Sequence, residues 1–174
     1  MTSRDVSEPR EVDQSSFEEF YEAEHGRLVT SVLLATGQAD TARDAADEAF
    51  LRALMAWPRV SAMASPAGWT YRVALNVARR RERRRTLERT LIARRSPPPD
   101  VPAPAGEAWA VVAELPPRQR TAIVLRFVAD MTEAQIASVM GITRSTVSST
   151  LADASRTLAR SLDEEPEPAG GTHA

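Results

Sequence analysis

The chain contains no cysteine, and all 22 of its basic residues are arginine. Without cysteine there are no disulfides and no thiolate metal sites, and a reducing compartment is the expected setting. Histidine is scarce too: His25 and His173 are the only two. That leaves little material for metal catalysis or imidazole acid–base chemistry. No apolar run approaches the roughly 20 residues of a membrane span. The polar opening MTSRDVSEPREVDQ is not a secretory signal. A cytoplasmic protein with no membrane insertion is expected. Strand-like alternation, internal repeats, a glycine-rich phosphate loop and a nucleophile elbow are all missing. The carboxylates fall in no enzyme pattern. The expectation is a protein that is not an enzyme, uses no cofactor, binds no metal and has no small-molecule substrate.

What is present is helical periodicity. With 174 residues, 43% hydrophobic and 5% aromatic, the chain suits two small helical domains better than one large β domain. Residues 1–14 read as a disordered tail. Ser16-Phe17-Glu18-Glu19 has capping-box form and starts a helix with Phe17, Phe20, Tyr21, Leu28, Val32 and Leu33 at near-helical spacing. Gly37 breaks it. A second helix spans about Asp40 to Met55, with Ala45, Ala46, Ala49, Phe50, Ala53 and Leu54 on its apolar side, and Trp57-Pro58 ends it. Ser65-Pro66 places a serine cap before a proline at the first helical position. That helix turns Trp69, Val73 and Val77 inward and runs to about Arg95. Residues 96–106, SPPPDVPAPAG, form a proline-rich spacer.

Beyond the spacer, short helices are expected over Glu107–Leu115 and Arg118–Ala129. Thr132-Glu133-Ala134-Gln135 is a second capping box, opening a helix through Met140. Gly141 supplies a left-handed turn. Thr143 caps the last helix, whose stripe is Val147, Leu151, Ala154 and Leu158. Residues 163–174 form an acidic, disordered tail. The fold class is all-α, with domains over 15–95 and 107–162.

Two features point to nucleic acid. The stretch from Leu115 to Leu158 reads as a helix, a capped second helix, a glycine turn and a third helix, the pattern of a helix-turn-helix, which sets one helix in the major groove. Arg144, Ser145, Thr146, Ser148, Ser149 and Thr150 supply the polar outer face that would meet bases and phosphates. The second feature is charge segregation. Arginines number four against twelve acidic residues in 1–50, twelve against two in 51–95, and six against ten in 96–174. A run from Arg79 to Arg95 crowds one helix, where like charges repel unless an anion neutralises them. Trp69, Tyr71 and Asn76 just upstream suit stacking on, or hydrogen bonding to, unpaired bases. The alternative for Trp69 and Tyr71 is a partly core role, and for Trp69 it is the stronger reading. Asp40, Asp44, Asp47 and Glu48 make an acidic face on the second helix, suited to protein docking or simply to solubility.

The segments FEEFYEAEHGRLV, DAADEAFLRALMAWPRV, GWTYRVALNVARRRERRR and LPPRQRTAIVLRFVADMTEAQIASVMGITRSTVSSTL together resemble the extracytoplasmic-function sigma factors, the smallest type in the bacterial sigma-70 family. The resemblance implies a region 2-like domain over 15–95 that binds core RNA polymerase and melts the −10 element. It implies a region 4-like domain over 107–162 that reads the −35 element. Polymerase docking would fall to Asp44, Asp47, Glu48, Phe50 and Arg52. The −10 strand would meet Trp69, Arg72, Asn76, Arg79, Arg80 and Arg83. The −35 duplex would meet Thr143, Arg144, Ser145, Thr146, Ser148 and Ser149. Partners would be core RNA polymerase, promoter DNA and an anti-sigma protein. The chain departs from the family pattern at Asp47, at Leu75, and at Ser148, Thr150, Asp153 and Ser155, where the reading helix is usually basic. Weak intrinsic −35 binding is the expected consequence. Two other readings of the residues stand beside this one: a free-standing helix-turn-helix regulator, and a degenerate sigma-like adaptor that binds polymerase or an anti-sigma protein without reading DNA.

Overall fold

A computed structural model describes residues 14–91 and 107–163, all of them helical or in short turns. The expected tails and proline spacer, like Arg94 and Arg95, lie outside the described residues. Among the described residues eight helices follow in order: α1 (Gln14–Thr36), α2 (Ala39–Met55), α3 (Trp57–Val60), α4 (Pro66–Leu91), α5 (Glu107–Glu114), α6 (Pro117–Phe127), α7 (Glu133–Met140) and α8 (Arg144–Asp163).

Local chemistry explains most of the boundaries. Gly37, with φ of 72°, ends α1 in the left-handed region that glycine enters without steric cost. The Ser65 hydroxyl accepts from the Gly68 amide at 3.0 Å and caps α4, as its position before Pro66 requires. At α7 both halves of the capping box form: the Thr132 hydroxyl accepts from the Gln135 amide, and the Gln135 side chain accepts from the Thr132 amide. Gly141 closes α7 with φ of 67°. Thr143 then caps α8, accepting from the Thr146 amide at 3.2 Å.

Two expectations about ends change. α1 begins at Gln14, so Ser16 lies inside the helix rather than at its cap. Its hydroxyl accepts from the Trp57 indole at 2.8 Å. Trp57 is itself only 4% exposed and starts α3, because its ring packs edge-on against Phe17 at 5.2 Å. A tertiary contact outweighs the local signal in both places.

The N-terminal helices α1, α2 and α4 pack around Leu28, Val32, Ala46, Phe50, Tyr71 and Ala74. The C-terminal helices α6, α7 and α8 pack around Leu125, Ile136, Val139 and Val147. The two helical domains are in contact: α1 packs on α6, α4 packs on α7, and the core is continuous between the two sets. The reason lies in Ser31-Val32-Leu33-Leu34-Ala35, where α1 is apolar nearly all round and needs a partner on more than one side. The Arg120 guanidinium fastens the junction, donating from Nε to the Ala35 carbonyl at 3.1 Å and from Nη1 to the Ala113 carbonyl at 2.8 Å.

Candidate nucleic-acid interface

α4 divides cleanly. Thr70, Tyr71, Ala74, Leu75, Val77 and Ala78 are buried, while Arg72, Asn76, Arg79, Arg80 and Arg83 are exposed. At about 100° per residue, Trp69, Arg72, Asn76, Arg79, Arg80 and Arg83 fall within an arc of about 100°. Sequence-distant in appearance, they form one ridge. Asn76 and Arg80 stand on one edge, in a groove of about 110 Å³ shared with Glu48 and Arg52 of α2. Arg79 and Arg83 stand on the other edge, towards α6 and α7. Trp69 is half-buried against Ala53, Trp57 and Val60, so one side of its ring belongs to the core.

Tyr71 does not join this ridge. It is 1% exposed, and burial pushes its phenol up to about 12. The ring is core, and stacking on a base is closed to it.

The arginine run is also not uniform. Arg81 is tied back to α2, with Nη1 2.6 Å from Asp44 and Nη2 3.6 Å from Glu48. Arg84 pairs with Glu88 at 2.9 Å, and Arg85 donates to Gln38. Arg72, Arg79, Arg80 and Arg83 make no ion pair among the described residues. The run is therefore divided into cations that brace the fold and cations with no ion pair among the described residues. Burial, then the neighbouring Arg83, press the Arg79 guanidinium below its ordinary pKa, as expected for a cation lacking a counter-charge.

α2 presents Asp44, Asp47 and Arg52 outward, with Glu48 half-buried beside them. Glu48 pairs with Arg52, and Asp47 lies 3.3 Å from the His25 ring nitrogen. Phe50 is a correction: at 3% exposure it faces the core, its ring 4.9 Å from Tyr21, and it cannot be a docking contact. The surface beside the acidic residues is instead apolar. Leu51 is 57% exposed and Met55 80%. Sequence reading missed both, although they follow Asp47 and Glu48 at helical spacing while lying off the apolar stripe. Leu54, placed on the apolar side, is also exposed.

α7, Gly141 and α8 form the helix-turn-helix, braced by Ile136, Val139 and Val147. On α8, Arg144, Ser145, Ser148 and Ser149 are exposed, with Thr143 just before them and Thr146 half-buried. Thr150 is a second correction: it is buried, and its hydroxyl donates to the Thr146 carbonyl at 2.7 Å. Arg144 lies 3.3 Å from Glu133, so the cation nearest the reading face is partly neutralised within the motif. Phe127, exposed on α6, flanks an apolar groove of about 510 Å³ with Trp109, Val112 and Leu158. This groove was not foreseen, because its walls come from three helices.

Two family models match the chain: Sigma-70 region 2 over residues 20–88, and Sigma-70, region 4 over residues 105–158. The chain belongs to the sigma-70 family. The two matched regions, together with the shared fold, support a sigma factor of the extracytoplasmic-function type. Region 2 thus contains the α4 ridge and the α2 face, and region 4 the helix-turn-helix. No curated protein matches it in sequence. Among solved structures, it is similar to the sigma factor RpoE of Bartonella quintana in complex with the anti-sigma factor NepR. That likeness has 16% identity and a TM-score of 0.73, and covers 87% of this chain and 99% of the other. It is also similar to CnrH in complex with the cytosolic domain of CnrY, at 20% identity and a TM-score of 0.62, covering 88% and 92%. Leu75, where the chain departs from the sigma-70 pattern, is 3% exposed in the core. Among the described residues no helix is long and apolar enough to cross a membrane, and no acidic, His or Cys cluster could hold a metal ion.

Proposed function

We propose that the chain binds core RNA polymerase and directs it to promoters as the initiating sigma subunit. The observation that carries this is the ridge on α4: a half-buried indole, an exposed asparagine and four unpaired guanidiniums within one narrow arc. Such a surface suits a melted strand, with phosphates on the cations and a base against Trp69 or Asn76. The polar outer face of α8 is the element for duplex. Leu51 and Met55, framed by Asp44, Asp47 and Arg52, are the polymerase-docking surface. In this role the chain is a non-catalytic initiation factor working in the cytoplasm. Domain limits of 15–95 and 107–162 fit this division of labour.

An anti-sigma protein is the further partner. The support is that a solved protein of the same fold, RpoE, is in complex with an anti-sigma factor, together with the apolar exposure of Met55 and Leu51.

Promoter engagement requires the closed packing to open. The −10 and −35 elements lie some 25 base pairs apart, or roughly 85 Å along B-DNA at 3.4 Å per pair. α4 and α7 are in contact, so one closed molecule cannot touch both.

A second reading, an adaptor that holds polymerase without reading −35 duplex, is favoured by the pairing of Arg144 with Glu133. Co-purification with core polymerase tests the shared step. A chain that forms no complex with core polymerase contradicts both readings, and palindromic duplex binding by a dimer would indicate the free-standing regulator.

A further inference from the structure

The junction between the two helical sets contains a cleft of about 730 Å³. Its floor is apolar, built from Leu75 and Ala78 of α4 with Met140 and Ile142 of the helix-turn-helix. Its walls carry four guanidiniums: Arg79 and Arg83 from α4, Arg118 and Arg120 from α6. Glu82 is the one carboxylate in the lining, and it is engaged by the Gln38 side-chain amide. Arg79, Arg83 and Arg118 have no protein partner among the described residues, and Arg120 is bonded only to backbone carbonyls. Like charges gathered in a concave, partly dry place repel one another unless an anion sits between them. Burial lowers the pKa of both Arg79 and Arg120, the expected response of guanidiniums in such surroundings. The N-terminal end of α6, at Pro117 and Arg118, also opens into the cleft and adds the positive end of a helix dipole.

We propose that this cleft binds a nucleoside polyphosphate, with its ring on the apolar floor and its phosphates between the guanidiniums of α4 and those of α6. The volume falls within the range of small-molecule sites. Arginine forks match phosphate oxygens two at a time. A mineral anion would leave the floor unused, and the polar-and-apolar make-up is what a nucleotide presents. Because the walls come from both helical sets, the ligand holds the closed packing together. It therefore opposes the opening that promoter engagement requires. Binding itself belongs to the free chain and is independent of any polymerase.

The test is a calorimetric titration of the full chain with GTP, with inorganic tripolyphosphate and guanosine as partial ligands. GTP is expected to bind one to one, and tighter than either part. R79Q on α4 and R118Q on α6 are each expected to weaken it at least about tenfold, the loss of one charge-assisted contact. R83Q replaces R79Q should that variant unfold. R43Q, on an exposed residue of α2 outside the cleft, is expected to leave GTP binding unchanged. The assignment is overturned by no saturable binding of GTP, by tripolyphosphate binding as tightly as GTP, by weakening confined to variants of one helical set, or by an equal loss in R43Q. A single-stranded oligonucleotide that occupies Arg79 and Arg118 without competition from GTP would assign the cleft to nucleic acid instead.

Discussion

The Arg120 guanidinium reaches 3.1 Å to the Ala35 carbonyl, joining the first turn of α6 to the last turn of α1. Ala35 sits where α1 has carbonyls with no helical partner, so the contact both caps α1 and holds the two helical sets together. Arg120→Ala is expected to destabilise the chain by about 1–3 kcal/mol, the range for losing hydrogen bonds to a charged donor. It is also expected to enlarge the particle in solution scattering, as the sets separate. Unchanged dimensions with unchanged stability would show that Arg120 does not secure the junction.

Phe50 and Met55 separate folding from docking on one helix. Phe50→Ala removes a buried ring and is expected to cost about 3–5 kcal/mol in denaturant unfolding. Met55→Asp, at a residue 80% exposed, should leave stability within about 0.5 kcal/mol and weaken core polymerase binding at least about tenfold. Leu51→Asp is expected to behave like Met55→Asp. Equal polymerase affinity in both aspartate variants would move the docking surface elsewhere.

Asn76 and Arg80 share the outer edge of the α4 ridge. Asn76→Ala and Arg80→Ala in the polymerase complex should each weaken capture of a single-stranded −10 oligonucleotide by about 1–3 kcal/mol. Binding to polymerase itself should be unaffected. For Arg80→Ala the salt dependence should also flatten, since one phosphate contact is lost. Fluorescence anisotropy at several salt concentrations reads both effects.

Tyr71 makes stability depend on alkaline pH. Burial, the largest cause, raises its pKa from 10.0 to about 12; the nearby Ser31 hydroxyl lowers it slightly, and Glu24 raises it further. Neither the Ser31 hydroxyl nor the phenol oxygen has a hydrogen-bond partner among the described residues, and burial dominates. Because the neutral phenol is the form the fold prefers, stability is full below pH 10 and falls as pH rises towards 12. The fall is about 2–3 kcal/mol for a shift of this size. Tyr71→Phe should abolish that part of the fall. An identical alkaline profile in the variant would contradict the assignment.

Local rules made much of the fold legible. The capping box at Thr132, the turn at Gly141, and the Ser65-Pro66 start each depend on residues within three positions of one another, and each forms. What failed depends on distant partners. Ser16 has capping chemistry, yet the Trp57 indole claims its hydroxyl. Thr150 looks like a polar face residue, yet α8 turns it inward. Phe50 lies on the apolar stripe that periodicity marks, while the resemblance placed it in the docking set; its packing against Tyr21 and Phe20 decides for the core. Sorting the arginines required knowing which carboxylates face them across α2 and α4. The cleft between Arg79 and Arg118 was invisible for the same reason, since its walls are 39 positions apart in the chain.

Run-off transcription with reconstituted core polymerase, followed by mapping of transcript 5′ ends, tests the central claim most directly. An initiating sigma subunit gives discrete start sites that appear only when the chain is added and that fade with Asn76→Ala. Core polymerase that binds the chain yet initiates at no defined position would contradict that claim.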